Sequence, residues 1–122
     1  MTLLKLVIMV KQTFSYADDI TICRMTNELE QRIRNDILQP SGIACREENL
    51  TADSDMDQTL LLSENYASIY LYYIFAGLSL SECDTERYSV YFALFSKEYS
   101  KIAADFRRAN FPRQKNKYIG GI

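Results

Sequence analysis

The amino-acid sequence predicts a mainly α-helical protein: a small helical bundle of about four helices, with a short β-hairpin inserted before the third helix and an extended C-terminal tail. Apolar residues recur every three or four positions in four separate segments, which is the period of an amphipathic helix. A polar, acidic, turn-rich stretch interrupts this pattern between residues 43 and 62. The residues after Pro112 are too polar and glycine-ended to pack into a core.

The chain of 122 residues is expected to form one domain. We assign residues 1–111 to the helical bundle domain, with its hairpin at about 43–62, and residues 112–122 to the tail. A hydrophobic content of 48% with 25% charged residues is typical of a globular protein rather than a disordered one. No run approaches the roughly 18 apolar residues that span a bilayer, so no membrane partner is expected.

The first helix is predicted to begin after Thr2, which can act as its N-cap, and to run to about Gln12. Its opening residues faintly resemble a signal peptide. The apolar core is short, however, Lys5 falls inside it, and no small-residue cleavage site follows. We therefore interpret the segment as an amphipathic helix. Its apolar face consists of Leu3, Leu6, Val7 and Val10.

The second helix is predicted to begin at an N-cap supplied by Asp18 or Asp19 and to end before Pro40. Glu30 and Arg34 are expected on its solvated sides. Its apolar stripe consists of Ile22, Met25, Leu29, Ile33 and Ile37.

Residues 43–45 and 59–62 are two short apolar runs on either side of a polar middle, which predicts a loose hairpin with a long tip. The tip is acidic, with Asp53, Asp55 and Asp57 at its end.

The acidic tip also resembles a calcium-binding loop. Together with Glu64, its three aspartates occupy positions one, three, five and twelve of the calcium-loop spacing. Position six, where the sharp turn requires glycine, is Gln58. The segment before it does not have a helical pattern either. We favour a flexible acidic tip, and we expect neither a metal ion nor another cofactor.

The third and fourth helices are unusually aromatic, since seven of the nine tyrosines lie between Tyr66 and Tyr99. The third helix is expected to begin at Ser63 or Asn65 and is apolar almost all round, which predicts burial on most sides. Asp84 is the expected N-cap of the fourth helix. So many aromatic residues on a small chain favour a function in protein binding over one in catalysis. The candidate core or ring-interface residues are Tyr70, Tyr72, Tyr73, Phe75, Tyr88, Tyr91, Phe95, Tyr99 and Phe106.

No catalytic motif is present in the sequence. The chain has no histidine, which excludes serine–histidine and cysteine–histidine nucleophiles within it. Its four glycines do not form a phosphate-binding loop. The three cysteines, Cys23, Cys45 and Cys83, are too widely spaced for a disulfide framework or a metal site, so we interpret them as reduced thiols filling small apolar gaps. We expect a protein that is not an enzyme.

The C-terminal end is basic, with seven lysines and arginines from Lys97 onward, although the net charge is −2. Overall acidity argues against nucleic-acid binding through bulk charge. Three interpretations of the tail remain open: a nucleic-acid patch, a disordered solubilising end, or a segment that orders on a protein partner.

Several segments in order resemble the small head–tail connector, or adaptor, proteins in the neck of long-tailed bacteriophages. Members often have a proline-rich link before the tyrosine-rich helix and one or two tryptophans, whereas this chain has Ser63-Glu64-Asn65 and no tryptophan. The segments are Thr59-Leu60-Leu61-Leu62, Tyr70-Leu71-Tyr72-Tyr73-Ile74-Phe75-Ala76, Glu86-Arg87-Tyr88, Phe92-Ala93-Leu94-Phe95, Tyr99, Phe106-Arg107-Arg108 and Pro112.

The resemblance implies a structural virion protein located in the neck and assembled in the host cytoplasm. It implies a homo-oligomeric ring of about twelve copies under the portal protein, which extends the DNA channel and serves as the platform for a stopper or tail-completion protein. Double-stranded DNA would be only passing cargo, which the acidic tip would not retain. The portal-docking tail would consist of Phe111, Arg113, Lys115, Lys117, Tyr118, Ile119 and Ile122.

Two other functions are compatible with the sequence. The chain can be a small helical DNA-binding regulator that uses its basic C-terminal region, or another neck or tail-completion component. A subunit of an enzyme whose partner supplies the chemistry fits less well, because the chain lacks histidine and phosphate-loop motifs.

Overall fold

The computed structural model describes residues 1–40, 42 and 56–110, and this part of the chain is mainly helical. The prediction of four helices is confirmed. The helix α2 continues directly into a π-helical turn, and a short 3-10 turn, Glu64–Tyr66, leads into α3. The elements are α1 (Leu3–Thr13), α2 (Asp19–Ile33), the π-helical turn (Arg34–Leu38), α3 (Ala67–Ser81) and α4 (Thr85–Asn110).

The helices α1 and α2 begin at the predicted caps. The Thr2 hydroxyl accepts a hydrogen bond from the Lys5 N–H at 3.3 Å, and the Asp18 carboxylate accepts one from the Thr21 N–H at 2.7 Å. Each bond satisfies an N–H group that has no acceptor within its helix. The hydrogen bonds from Thr21 also lower the pKa of the Asp18 carboxyl. The predicted apolar stripes of both helices are buried.

The helix α3 lies at the centre of the bundle. It packs against α1, α2 and α4, whereas α1 and α4 do not pack against one another in the described part of the chain. This position explains why α3 lacks a polar face. At Gly77 the side chain of Met25 lies where a Cβ atom would be, so the glycine lets α2 and α3 approach closely.

A link of three residues joins α3 to α4. The Ser79 carbonyl accepts from the Asp84 N–H at 2.9 Å, and the Leu80 carbonyl accepts from the Cys83 N–H at 3.0 Å, which is a Schellman motif. The Asp84 carboxylate then accepts from the Arg87 N–H at 3.1 Å, so the predicted N-cap of the fourth helix is confirmed. Asp84 therefore ends one helix and begins the next.

The cysteines occupy different environments. Cys23 is buried, as expected, and Cys45 lies outside the described residues. Cys83 is exposed and has a left-handed backbone with φ of 60°, so the interpretation that it fills an apolar gap was wrong. The Schellman motif requires this conformation at its C′ position, where glycine is the common residue.

The predicted hairpin is not observed in the described residues. Its first arm and most of its tip lie outside them. The second arm, residues 59–62, forms no strand there, and Thr59 makes only an isolated antiparallel bridge with Thr2. Carbonyls of Gln58 and Met56 instead accept from the N–H groups of Leu3 (3.1 Å) and Leu4 (2.9 Å). This segment caps α1, because the first turn of a helix has N–H groups in need of acceptors.

Replacement of Cys83 by glycine is expected to stabilise the protein. A side chain in the left-handed region crowds the following carbonyl, and glycine removes this strain while adding backbone entropy to the unfolded chain. The net gain in unfolding free energy is roughly 0.5–1 kcal/mol, measurable by urea denaturation. Cys83→Ala is the control, because it removes the thiol but keeps the Cβ atom. Equal stability of the two variants would contradict the interpretation.

Candidate protein-interaction surfaces

A buried hydrogen-bond cluster holds the segment before α3 in place. The Tyr70 hydroxyl donates to the Glu30 carboxylate at 3.0 Å and accepts from the Leu62 N–H at 3.1 Å. The same Glu30 oxygen accepts from the Leu61 N–H at 2.6 Å. Tyr70 is 0% exposed and Glu30 only 1% exposed. The cluster therefore connects α2, α3 and the backbone of Leu61 and Leu62, just before the 3-10 turn.

The expected solvated positions of Glu30 and Arg34 were wrong, because both side chains are buried. The Arg34 guanidinium donates to the Gln31 side chain at 2.7 Å. Helical periodicity alone placed both residues outside the apolar stripe. The acceptors that Leu61 and Leu62 need come from a different part of the chain, and no local pattern in α2 indicates that need.

The candidate core or interface aromatics mostly lie in the seam between α3 and α4. Tyr70, Phe75 and Phe95 are buried. The Tyr91 ring packs on Phe75 with centroids 5.2 Å apart, and Tyr73 packs on Phe95 at the same distance. The remaining members of the set are partly buried: Tyr72, Tyr73, Tyr88, Tyr91, Tyr99 and Phe106. These rings therefore contribute first to holding the two helices together.

Two tyrosines of the seam reach the acidic residues of α2 and its π-helical turn. The Tyr73 hydroxyl donates to Glu28 at 3.2 Å, and the Tyr99 hydroxyl donates to Asp36 at 3.1 Å. Burial raises the pKa of Tyr99, and the negative charge and hydrogen bond of Asp36 raise it further. Burial and the neighbouring Glu28 raise the pKa of Tyr73 in the same way.

Arg32 completes the contact between α2 and α4. Its guanidinium lies 5.5 Å from the centroid of the Phe95 ring and 5.4 Å from that of Tyr99. Cation–π attraction operates at this distance. Long side chains thus bridge two helices whose backbones do not pack closely.

Exposed apolar side chains form pairs on α1 and α4, whereas Tyr16, Ile20 and Leu80 are exposed singly elsewhere. On α1, Leu4 and Ile8 are exposed one turn apart, and we call this pair the α1 face. On α4, Val90 and Leu94 are exposed one turn apart, whereas the exposed Phe92 lies on the other side of the helix, against Tyr88 and Phe95. Leu4, Ile8, Val90 and Leu94 were not among the predicted interface residues. Their only local signal is the spacing of four residues outside the main apolar stripe of each helix.

Other predicted site residues are placed as follows. Asp57 is exposed, whereas Asp53, Asp55 and the tail from Phe111 to Ile122 lie outside the described residues. Glu64, the last member of the calcium-loop pattern, forms an ion pair with Lys5. Among residues 1–40, 42 and 56–110, no three histidine, cysteine or carboxylate side chains are grouped as a metal site requires. No helix in these ranges is both long enough and apolar enough to cross a bilayer.

Replacement of Tyr70 by phenylalanine tests the buried cluster. The variant lacks the hydroxyl that accepts from the Leu62 N–H and donates to the Glu30 carboxylate, so both groups lose a hydrogen bond inside the core. We expect a loss of about 1–3 kcal/mol in the free energy of unfolding, measured by urea denaturation. Tyr73→Phe is the matched control, because it removes an exposed hydroxyl bond to a carboxylate on the same two helices. A similar loss in both variants would argue against the cluster.

The tyrosine–carboxylate pairs predict loss of stability at alkaline pH. Unfolded tyrosines ionise near pH 10, whereas Tyr99 and Tyr73 in the folded chain hold their protons to higher pH. The unfolding free energy is therefore unaffected by these groups below about pH 10 and falls as the pH rises towards their folded pKa values. Urea midpoints measured against pH should fall less steeply for Tyr99→Phe than for the wild type. The exposed Tyr16→Phe control should follow the wild type; a Tyr99→Phe curve that does the same would contradict the assignment.

Comparison with known proteins identifies no relative. No protein-family model matches the chain, and no curated protein or solved structure is significantly similar to it.

Proposed function

We propose that this chain is a structural virion protein, a head–tail connector that forms a ring under the portal, extends the DNA channel and provides the platform for tail or stopper attachment. The observation that carries the proposal is the presence of two separate outward apolar faces. One is on α1 and the other on α4, and both helices pack on α3 rather than on each other. A ring of identical subunits needs two different complementary surfaces on each subunit.

The interior of the bundle supports the same function. The aromatic seam between α3 and α4, the bridging Arg32 and the three-residue link make these two helices one firmly packed unit. A subunit that must hold its shape in a channel wall benefits from such packing. The proposal involves no reaction and no cofactor.

The tail provides the contact to the portal in this proposal. The helix α4 ends at Asn110, so residues 111–122 follow the longest helix of the chain directly. Phe111, Tyr118, Ile119 and Ile122 would be the apolar anchors, and Arg113, Lys115 and Lys117 would meet acidic groups of the portal.

A DNA-binding regulator is the second candidate, because α4 carries exposed basic residues. Lys97, Lys101 and Arg107 are exposed, and none of them forms an ion pair in the described ranges. Binding to duplex DNA that weakens steeply with salt would favour this function over a connector. Absence of DNA binding at low salt would exclude the regulator.

Another neck or tail-completion component is distinguished from a connector by its neighbour, since only a connector attaches to the portal itself.

Deletion of residues 112–122 tests the docking tail. The variant is expected to keep the helical circular dichroism and cooperative unfolding of the wild type, because the described bundle ends before the deletion. It should no longer attach to portal-bearing heads, as seen by electron microscopy of the neck. Lys117→Gln, which keeps every apolar anchor, is the matched control and should still attach. Attachment by the deletion variant would overturn the docking role of the tail.

A further inference from the structure

The exposed apolar pair on α4 belongs to a longer stripe. Lys97 and Lys101 follow Val90 by seven and eleven residues, which places all four side chains on the same side of the helix. Both lysines are exposed, and neither forms an ion pair in the described part of the chain. We call Val90, Leu94, Lys97 and Lys101 the α4 face. Along α4 from its N-terminus, this face is first apolar and then basic, and the exposed Glu86 lies on the same side one turn before Val90.

An acidic residue, Asp57, lies near one end of the α1 face, whereas the α4 face ends in two lysines. Asp57 lies at the N-terminal end of α1, because the carbonyls of its neighbours Met56 and Gln58 accept from the first N–H groups of that helix. Asp57 is exposed and also forms no ion pair among the described residues. From the C-terminal to the N-terminal end of α1, the order along the helix axis is therefore Ile8, Leu4 and then the exposed Asp57.

The apolar pairs of the two faces match in spacing, and the charges beyond them match when the helices run antiparallel. Ile8 and Leu4 are one helical turn apart, as are Val90 and Leu94, and each pair spans ~6 Å along its axis. Beyond Leu94, the two lysines follow at ~4.5 Å and ~10.5 Å along the axis. An acidic residue just beyond Leu4 then lies opposite them. A parallel arrangement would place the acid beside Val90 and leave both lysines unmatched.

We infer that the α1 face of one copy docks antiparallel against the α4 face of the next copy, with Ile8 and Leu4 on Val90 and Leu94, and Asp57 opposite Lys97 and Lys101. This inference rests on the proposed ring and names its subunit contact. The contact is heterologous, since it joins two different surfaces, and it repeats from copy to copy. One molecule cannot form it internally, because α1 and α4 pack separately on α3.

Single substitutions on each face test the contact. Ile8→Glu and Leu94→Glu each place a carboxylate in the apolar centre of the contact, and both positions are exposed in the single chain, so folding is retained. Each variant is expected to weaken self-association more than about a hundredfold in sedimentation equilibrium. Ile20→Glu is the matched control, because Ile20 is 75% exposed and lies outside both faces. Its self-association should equal that of the wild type.

Mixing the two variants distinguishes this contact from a symmetric one. Ile8→Glu keeps an intact α4 face and Leu94→Glu keeps an intact α1 face, so an equimolar mixture should give a 1:1 dimer that grows no further. A symmetric α4–α4 contact would instead let Ile8→Glu associate normally by itself. That result, or a mixture that stays monomeric, overturns the inference.

Charge reversal tests the polar end of the contact. The double variant Lys97→Glu with Lys101→Glu should associate about tenfold or more weakly than the wild type. Addition of Asp57→Lys to it should restore most of the loss, because the attraction is then re-formed with the signs exchanged. Failure of restoration overturns the assignment of Asp57. A wild-type chain that stays monomeric at its solubility limit overturns the self-contact itself, whereas the connector proposal is judged separately by attachment to heads.

Discussion

The hydrogen bonds between Glu30, Tyr70 and the backbone of Leu61 and Leu62 determine where the rest of the chain lies. They fix the segment before α3 against both α2 and α3. The residues just before that segment supply carbonyls to the first turn of α1. One buried carboxylate and one buried hydroxyl thus control how α1 and α2 are placed on α3. A purely apolar contact would be less directional, because hydrogen bonds specify both distance and angle.

Local chemistry in the sequence was sufficient for the four helices and for the beginnings of three of them, whereas α3 begins at Ala67, later than the expected Ser63 or Asn65. Thr2, Asp18 and Asp84 are short oxygen-bearing side chains before apolar periodic segments, and each caps the helix it was expected to cap. The burial of Glu30 and the role of residues 56–60 were not predictable in this way. Both depend on partners distant in the chain, and propensity carries no information about them.

The interaction surfaces were also only partly predictable. The many aromatic residues suggested contacts with partners, but most of their rings pack between α3 and α4. The exposed apolar residues are smaller aliphatic side chains, such as Ile8 and Val90, whose exposure depends on which side of each helix α3 covers. Helix packing therefore had to be known before the free faces were evident.

The capping of α1 by residues 56–60 has a consequence for the order of folding. The link between α3 and α4 closes a very short loop, so this pair can form early and at little entropic cost. The first turn of α1 must instead wait for a segment more than fifty residues later in the sequence. Contacts of such long range slow folding. We therefore expect the α3–α4 hairpin to form early and α1, which carries one of the two free faces, to be the last helix completed.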